Sequence, residues 1–180
     1  MLKRILLVVV AIVAVFCGYV AMQPSTTRIE RSAIFVAPPA AAFAEVNDFH
    51  NWQAWSPWAK LDPNAKATFE GPASGEGAVF HWDGNNEVGK GTMTITESRP
   101  DEHIGMRLDF EKPFAATSKT EFTFKPDGPR TIVTWAMTGE SPGFFVKAIC
   151  LLMNSDKMVG DQFEKGLATL KKIVEGKSAP

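Results

Sequence analysis

The pattern of apolar and polar positions divides the chain into three parts of different periodicity. An uninterrupted apolar run, Ile5 to Met22, follows Lys3 and Arg4 at the N-terminus. The middle of the chain alternates apolar and polar residues, and the C-terminal part repeats apolar residues at steps of three or four. These periods predict an apolar helix, a β-sheet and a long amphipathic helix, in that order.

The N-terminal run is long enough for a membrane-spanning helix. Its 18 residues would span about 27 Å as a helix, close to the hydrocarbon thickness of a bilayer. A signal peptide has a shorter apolar region that ends at small residues spaced A-x-A, whereas Tyr19 and Val20 interrupt that spacing near Ala21. We therefore expect residues 1–22 to form an uncleaved transmembrane anchor, with a signal peptide as the alternative.

The charges beside this run predict its orientation. Lys3, Arg4 and the terminal amine favour a cytoplasmic N-terminus in a single-pass topology, which puts the following domain outside the cytoplasm, in a bacterium in the periplasm. The chain has 19 basic and 20 acidic residues, and beyond Met22 there are 17 bases and 20 acids, a net charge of -3. This mild acidity attracts neither anionic lipid nor nucleic-acid phosphates. We therefore expect no nucleic-acid partner.

The remaining chain has the length of one domain. Residues 23–27 (QPSTT) are interpreted as a linker, residues 28–176 as the domain and residues 177–180 as a tail. Arg28 to Val36 alternates and predicts a first strand, which ends at Pro38-Pro39 because proline cannot donate to a strand ladder.

Two short helices and a series of strands are predicted next. Ala40 to Val46 predicts a helix that begins after the prolines, and Asn47 to Trp58 predicts another, ended by Ser56-Pro57. From Ala65 onwards at least six short segments each have one apolar face, which predicts a single antiparallel sheet of six to seven strands. The residues expected to face its interior are Phe80, Trp82, Met93, Ile95, Met106, Leu108, Phe110, Phe122, Phe124, Trp135 and Met137.

The C-terminal repeat predicts one long helix. Its apolar face consists of Val159, Phe163, Leu167, Leu170 and Val174. A spacing of three or four residues brings these side chains to one stripe, and Gly176 can end the helix. One long helix packed on a curved antiparallel sheet is an α+β architecture.

Four segments carry a resemblance to a known family. They are Arg31 to Trp58, Phe80 to Ile104, TIVTWAMTGE and DKMVGDQFEKGLATLKKIVE. They resemble the opening, the central hairpin, the last strand and the closing helix of the START/SRPBCC superfamily, most closely its polyketide cyclase/dehydrase-like group. The resemblance covers about Arg28 to Glu175. It implies a helix-grip fold, in which the sheet wraps around the helix and encloses an apolar cavity, and an N-terminal membrane helix also occurs in that group.

On this resemblance the inward-facing residues are candidates for a ligand site. Ligand cavities are mostly apolar, and methionine adapts to varied ligands, so the expected ligand is a hydrophobic small molecule or a lipid. The alternative is a filled core, which the sequence does not distinguish from a hollow one. The candidate lining residues are Trp52, Trp55, Phe80, Trp82, Met93, Met106, Leu108, Phe110, Phe122, Phe124, Trp135, Met137, Phe163 and Leu167.

The tryptophans of the Asn47–Trp58 segment allow two interpretations. Trp52, Trp55 and Trp58 recur at every third residue. Two of them could cover the sheet as core while the third is an exposed turn residue. Alternatively, all three form part of a cavity mouth, where an aromatic body can contact both ligand and water.

Ionisable groups that could support catalysis are few. His81 and Asp83 share the outward face of one predicted strand, and His103 is expected to be solvated in a turn. Asp109 and Glu111 also face outwards and are expected to pair with neighbouring strands. Because no metal-ligand spacing, catalytic triad or phosphate loop is present in the sequence, we predict no catalytic residue, metal or cofactor.

Three hypotheses of function remain. The leading one is a membrane-anchored binding domain, whose gate would be Phe144, Phe145, Ile149, Leu151 and Leu152 in an apolar segment before the last helix. The second is an enzyme of the cyclase/dehydrase type acting on an apolar substrate, which would be favoured by His50, Asp48 or Glu87 pointing into the cavity within hydrogen-bond reach. The third is a structural partner of a membrane complex, which requires a packed core and a large exposed apolar patch.

Overall fold

The protein consists of one curved sheet and a set of helices. The computed structural model describes residues 1–140, 143–144, 147–148 and 155–178. Its helices are α1 (Leu2–Met22), α2 (Pro39–Asn47), α3 (Trp52–Trp55), α4 (Pro57–Leu61) and α5 (Ser155–Ser178), with a 3-10 turn at Phe49–Asn51. Its strands are β1 (Thr26–Phe35), β2 (Lys66–Glu70), β3 (Val79–Asp83), β4 (Lys90–Arg99), β5 (His103–Lys112), β6 (Ala116–Asp127) and β7 (Arg130–Glu140).

The described strands form a single antiparallel sheet in the order β1-β7-β6-β5-β4-β3-β2. The chain from β2 to β7 is a meander, and β1 completes the sheet by pairing with β7. The register between β4 and β5 shifts at Lys90/Gly91 and again between Ile95 and Glu97. Such irregularities bend a strand and increase its twist, which suits a sheet that curves around a helix. The predicted α+β helix-grip architecture is confirmed.

Helix α5 lies against the concave face of the sheet, as its apolar stripe predicts. Phe163, Leu167, Leu170 and Val174 are fully buried. A glycine on α5 allows a close approach to the sheet, because a Cβ at Gly166 would lie 2.8 Å from the Trp135 ring.

The segment predicted as one short helix, 47–58, contains more elements than expected. The 3-10 turn is followed by α3, and Pro57 then begins α4 instead of ending the helical region. Proline is favoured in the first helical turn because its missing N–H would have no partner there. The same chemistry places Pro39 at the first position of α2.

Two predicted boundaries are wrong by a few residues. Strand β1 begins at Thr26, inside the expected linker, because β7 extends far enough for Glu140 and Gly139 to pair with Thr26 and Thr27. Helix α5 continues past Gly176 to Ser178, and the Lys177 ammonium donates to the Glu45 carboxylate on α2 at 2.7 Å. This contact holds the last turn in helical form.

A candidate ligand-binding cavity

A cavity of about 300 Å³ lies between the sheet, α3, α4 and the first turns of α5. Nine of the fourteen residues predicted to line it do so: Trp52, Phe80, Trp82, Met93, Leu108, Phe110, Trp135, Met137 and Phe163. Their side chains come from β3, β4, β5 and β7 on one side and from α3 and α5 on the other. The wall is therefore mostly carbon, with aromatic rings on both sides.

The other five predicted lining residues lie outside the cavity. Trp55, Met106, Phe122, Phe124 and Leu167 are at most 2% exposed and belong to the packed core. Around them α2 and α3 fill the space above this part of the sheet; the ring of Phe124, for example, meets that of Phe43 on α2 edge to face at 5.6 Å. For these five residues the filled-core alternative is correct.

Trp135 connects the packed core to the cavity wall. Its indole stacks on Phe163 of α5 with a centroid separation of 4.1 Å and an interplanar angle of 9°. Phe122 also stacks on it at 4.8 Å, and Trp58 meets it edge to face at 5.7 Å. Offset and edge-to-face aromatic pairs add to the energy of simple area burial, so this cluster is a rigid side of the cavity.

Most tryptophan N–H groups are occupied by the protein itself. The hydrogen bonds are Trp52 to Val46 O (2.9 Å), Trp55 to Glu45 O (3.4 Å), Trp82 to Val88 O (3.2 Å) and Trp135 to Thr120 Oγ1 (3.1 Å). Buried indoles normally find such a partner because an unpaired N–H is costly. As a result Trp52, Trp82 and Trp135, the three of these that line the cavity, present apolar surfaces to it.

A glycine makes room for one of these rings. Gly91 on β4 pairs with Trp82 on β3, and a Cβ at Gly91 would collide with the Trp82 indole and with the Asp109 carbonyl oxygen. The bulky Trp82 ring therefore requires a glycine at this position of β4.

Several lining residues carry no periodic signal in the sequence. They are Ser56, Trp58, Ala59, Asp62, Lys66, Glu87, Val88, Lys112 and Pro113. Most lie in turns or at element ends, where position depends on tertiary contacts instead of a repeat. Trp58 is the exception, since its spacing from Trp52 and Trp55 indicated a cavity mouth as one alternative.

Some polar groups in the cavity wall already make hydrogen bonds within the protein, and others do not. The Asp62 carboxylate accepts hydrogen bonds from the backbone N–H of Asn64 (3.1 Å) and of Asn85 (2.7 Å). It thereby fastens the end of α4 to the turn between β3 and β4. Within the described residues the Ser56 hydroxyl and the Trp58 indole N–H make no hydrogen bond, so both can contact a ligand.

The residues required for the enzyme hypothesis do not converge. His50 and Asp48 hydrogen-bond to each other at 2.7 Å, but neither lines the cavity; the His50 ring stacks on Phe69 at 4.1 Å. Glu87 does line it, from an exposed position at the mouth. In the part of the chain that the structure describes, no three His, Cys, Asp or Glu side chains converge as a metal site would require.

The histidines on the outer face differ in their surroundings. His81 Nδ1 lies 2.8 Å from Thr92 Oγ1, on the outward face as predicted. The prediction of a solvated His103 is wrong, because it is the first residue of β5 and its side chain is 13% exposed. It is enclosed between the carboxylates of Glu97 and Glu121, at 3.6 Å and 3.5 Å.

The predicted pairing of the outward carboxylates is confirmed. Glu111 on β5 binds Lys90 on β4 at 2.9 Å. Asp109 accepts a hydrogen bond from Thr117 on β6 at 2.7 Å and contacts Arg107 on its own strand. The hydrogen bond from Thr117, together with that from Arg107, lowers the pKa of Asp109. These groups stabilise the outer face and do not reach the cavity.

The two segments associated with a membrane differ in what the structure describes. A 20-residue span of α1, Lys3–Met22, has a mean hydropathy of 2.9 and is almost wholly exposed, so it is long and apolar enough to cross a bilayer; a signal sequence has the same properties. Of the predicted gate, Phe144 is exposed, whereas Phe145, Ile149, Leu151 and Leu152 lie outside the described residues.

Comparison with known proteins agrees with this fold. A family model described as polyketide cyclase / dehydrase and lipid transport matches residues 26–175. A protein from Nitrosospira multiformis has a TM-score of 0.61 at 18% identity, covering 84% of this chain and 99% of its own. A Thermobifida fusca protein also scores 0.61 at 18% identity (82% and 92%), and one from Mesorhizobium loti scores 0.59 at 14% (86% and 99%). The curated proteins contain no match.

Proposed function

Because the chain belongs to the polyketide cyclase/dehydrase and lipid-transport family, we propose that it binds a hydrophobic small molecule or a lipid in its internal cavity. The observation that carries this proposal is an apolar-walled space of about 300 Å³ inside the sheet. That volume is at the lower end of the range for ligand sites, which are typically apolar with a few placed polar groups. Ser56 and Trp58 are suitable polar groups here.

The second part of the proposal is that α1 holds the domain at a membrane, with the N-terminus in the cytoplasm and the domain on the other side. A span of this hydropathy is stable in a bilayer. Tethering raises the effective concentration of the cavity near membrane-dissolved molecules. This suits a protein whose ligand is poorly soluble in water.

The polar groups favour binding over catalysis. General acid–base chemistry needs two groups within hydrogen-bond reach of a reacting atom. The Asp48–His50 pair lies outside the cavity, and Asp62 already accepts two backbone hydrogen bonds. Among the described residues this leaves Glu87, Lys66 and Lys112, all exposed at the mouth. The cyclase-type alternative therefore lacks a paired acid and base inside the cavity among the described residues.

Filling the cavity tests the proposal. Leu108→Trp places a larger side chain into the space, and we expect the affinity for N-phenyl-1-naphthylamine, a neutral apolar fluorophore, to fall about tenfold or more. Arg107→Trp is the matched control, because Arg107 is the exposed neighbour on the opposite face of β5. Fluorescence titration of the full-length protein measures both variants. Equal affinities for the two variants, or no binding by the wild type, would contradict the proposal.

A further inference from the structure

One edge of the sheet contains an end of every strand. The register pairs that bring these ends together are Thr26 with Glu140, Ser118 with Gly139, Phe110 with Ala116, Lys90 with Lys112, Asp83 with Lys90, and Lys66 with Asp83. We name this edge, with the turns that extend from it, the near end of the domain. The opposite edge, which contains the tip of the β6–β7 hairpin at Gly128, is the far end.

Helix α5 runs along β1 in the direction from the near end to the far end. Its first turn is joined to β1 by the Arg31–Asp156 ion pair at 3.1 Å. Close to its other terminus, the Glu175 carboxylate accepts a hydrogen bond from the backbone N–H of Val36, just beyond the end of β1, at 2.7 Å. The cavity residues Val159 and Phe163 thus belong to the part of α5 nearest the near end.

The cavity opens at the near end. Of the lining residues that are exposed to solvent, Gln53 and Ala67 lie on α3 and β2, and the other four are Lys66, Glu87, Lys112 and Pro113. Lys66 and Lys112 are strand termini of the near end, and Glu87 and Pro113 lie in the adjoining turns. Exposed lining residues mark the mouth, so the mouth faces the direction in which these turns project.

Helix α1 is attached at the same end. It ends at Met22, and Thr26 is already paired with Glu140. Four residue steps span at most about 14 Å, so the C-terminus of α1 cannot lie far from the near end. The Lys147 ammonium also donates to the Gln23 carbonyl oxygen at 2.8 Å.

Three exposed apolar side chains lie beside residues that line the cavity. Outside α1, the large apolar residues that the described structure exposes are Ile34, Val36, Leu61, Phe69, Phe114, Phe144 and Met158. Leu61, Phe114 and Met158 are each the chain neighbour of a lining residue, namely Asp62, Pro113 and Val159. Phe114 is 80% exposed, in the turn between β5 and β6. Ile34 and Val36 lie at the far end, whereas Leu61, Phe114 and Met158 lie beside cavity residues, and exposed apolar side chains next to a cavity suit an interaction surface.

The charges of the near end favour apolar contact over ionic attraction. Its strand ends carry Lys66, Lys90, Lys112, Asp83, Glu111 and Glu140, three of each sign. Lys90 and Glu111 neutralise each other at 2.9 Å. A balanced rim around protruding apolar residues suits the interfacial region of a bilayer without requiring anionic lipid.

We propose that the near end docks on the bilayer in which α1 is anchored, with Leu61, Phe114 and Met158 inserted at the interface and the cavity mouth facing the lipid. An apolar ligand then passes between the acyl region and the cavity without crossing bulk water. This inference rests on the proposed membrane tether. It adds the orientation of the domain and the side chains that hold it.

Spin-label depth measurements test the orientation. The full-length protein, with Cys17 and Cys150 replaced by serine, is reconstituted in phosphatidylcholine vesicles with a label at Phe114→Cys, Ile34→Cys or Val10→Cys. Ile34 is the matched control, since it is an exposed apolar residue at the far end. We expect the label at position 114 to be more accessible to oxygen than to a water-soluble nickel complex, and the label at position 34 to show the reverse.

The label in α1 separates the two proposals. If position 10 lies in the hydrocarbon and position 114 is as aqueous as position 34, the docking inference is overturned and the tether stands. If position 10 is itself aqueous, the tether fails and the docking inference fails with it. Phosphatidylcholine alone should suffice, and a requirement for anionic lipid would contradict the apolar mode of docking.

A transfer assay tests the consequence for the ligand. Phe114→Asp should slow the transfer of N-phenyl-1-naphthylamine from vesicles to the protein about tenfold, because an interfacial apolar contact is replaced by a charge. The equilibrium affinity of the Phe114→Asp variant for the fluorophore should remain unchanged, since Phe114 does not line the cavity. Ile34→Asp should alter neither quantity. Equal transfer rates for the two variants would overturn the inference, whereas loss of equilibrium binding in the wild type would count against the proposed function.

Discussion

At the scale of single residues, Gly166 shows how α5 and the sheet come to fit. A Cβ there would lie 2.8 Å from the Trp135 ring and 3.1 Å from Pro57, and the stacked rings of Phe122 and Phe163 restrict movement of Trp135. Glycine is a poor helix former, so its presence costs about 1 kcal/mol relative to alanine. Close packing of the helix on the ring compensates for that cost.

This leads to a prediction against helix propensity. Gly166→Ala should lower the stability of the protein by about 1 kcal/mol, a fall in Tm of about 2–4 °C, because overpacking exceeds the gain in propensity. Gly176→Ala is the matched control on the same helix, since nothing lies within 4 Å of its added Cβ, and its Tm should be unchanged or higher. Thermal unfolding followed by circular dichroism measures both, and a Gly166→Ala protein as stable as the wild type would contradict the packing argument.

Single residues also show where sequence patterns lose information. The alternation of β5 correctly placed Asp109 and Glu111 on the outer face, because the side of a strand follows from parity alone. The burial of His103 does not follow from parity, since Glu97 and Glu121 come from two different strands and enclose the ring only after the sheet has formed. Partners from distant parts of the chain leave no local signal.

At the scale of elements, a polar network on the outer face connects β1, β6 and β5. The Arg28 guanidinium binds the Glu121 carboxylate at 2.8 Å, and His103 Nε2 lies 3.5 Å from it on the other side. Burial raises the pKa of Glu121, but the hydrogen bonds from Arg28 and His103 outweigh burial and leave the pKa below its ordinary value. The folded state therefore favours the ionised carboxylate.

The lowered pKa predicts a loss of stability in acid. Glu121 contributes its full stabilisation above the pKa of the unfolded state, about 4.3, and loses it as the pH falls through the lower pKa of the folded state. We expect the free energy of unfolding to fall below about pH 4, and Glu121→Gln to flatten this part of the profile. Urea unfolding between pH 3 and pH 7 measures the slopes. Identical slopes for the variant and the wild type would show that Glu121 does not contribute.

The elements with a long repeat could be predicted from the sequence, whereas the bounds of the short helices around proline could not. The stripe on α5 and the alternation of β4 to β7 persist over ten residues or more, so a misplaced residue does not alter their period. In the segment 47–58 the helices are three to five residues long, and Pro57 can end one helix or begin the next. In the structure Pro57 begins α4 and lies close to Gly166 of α5.

At the scale of the whole molecule, the sequence could predict an apolar interior but not which part of it is hollow. Phe122 and Phe110 have the same inward parity on neighbouring strands, yet Phe122 is fully buried and Phe110 lines the cavity. The difference arises because α2 and α3 cover the sheet around Phe122. The position of a helix over a sheet depends on tertiary contacts, and the pattern of residues along a strand does not predict it.

The fate of the N-terminal helix is a testable property of the whole chain. If α1 is an anchor, protein extracted from carbonate-washed membranes should have the mass of the complete 180-residue chain, 19.7 kDa. Removal near Ala21 would instead release a shorter chain into the soluble fraction, as expected of a signal peptide. Intact-mass spectrometry of both fractions distinguishes these outcomes, and a shortened soluble form alone would contradict the anchor.

The hydrogen bonds made by the tryptophan N–H groups also bear on selectivity. The N–H groups of Trp52, Trp82 and Trp135 are already paired to the protein. Much of the wall therefore contributes to the free energy of binding only through the apolar surface that the ligand covers. Each buried methylene contributes about 0.8 kcal/mol, or about fourfold in affinity. In a homologous series the binding constant should therefore climb by a steady factor with each added carbon until the cavity is full, and then drop sharply. Length is the property by which such a cavity sorts its ligands.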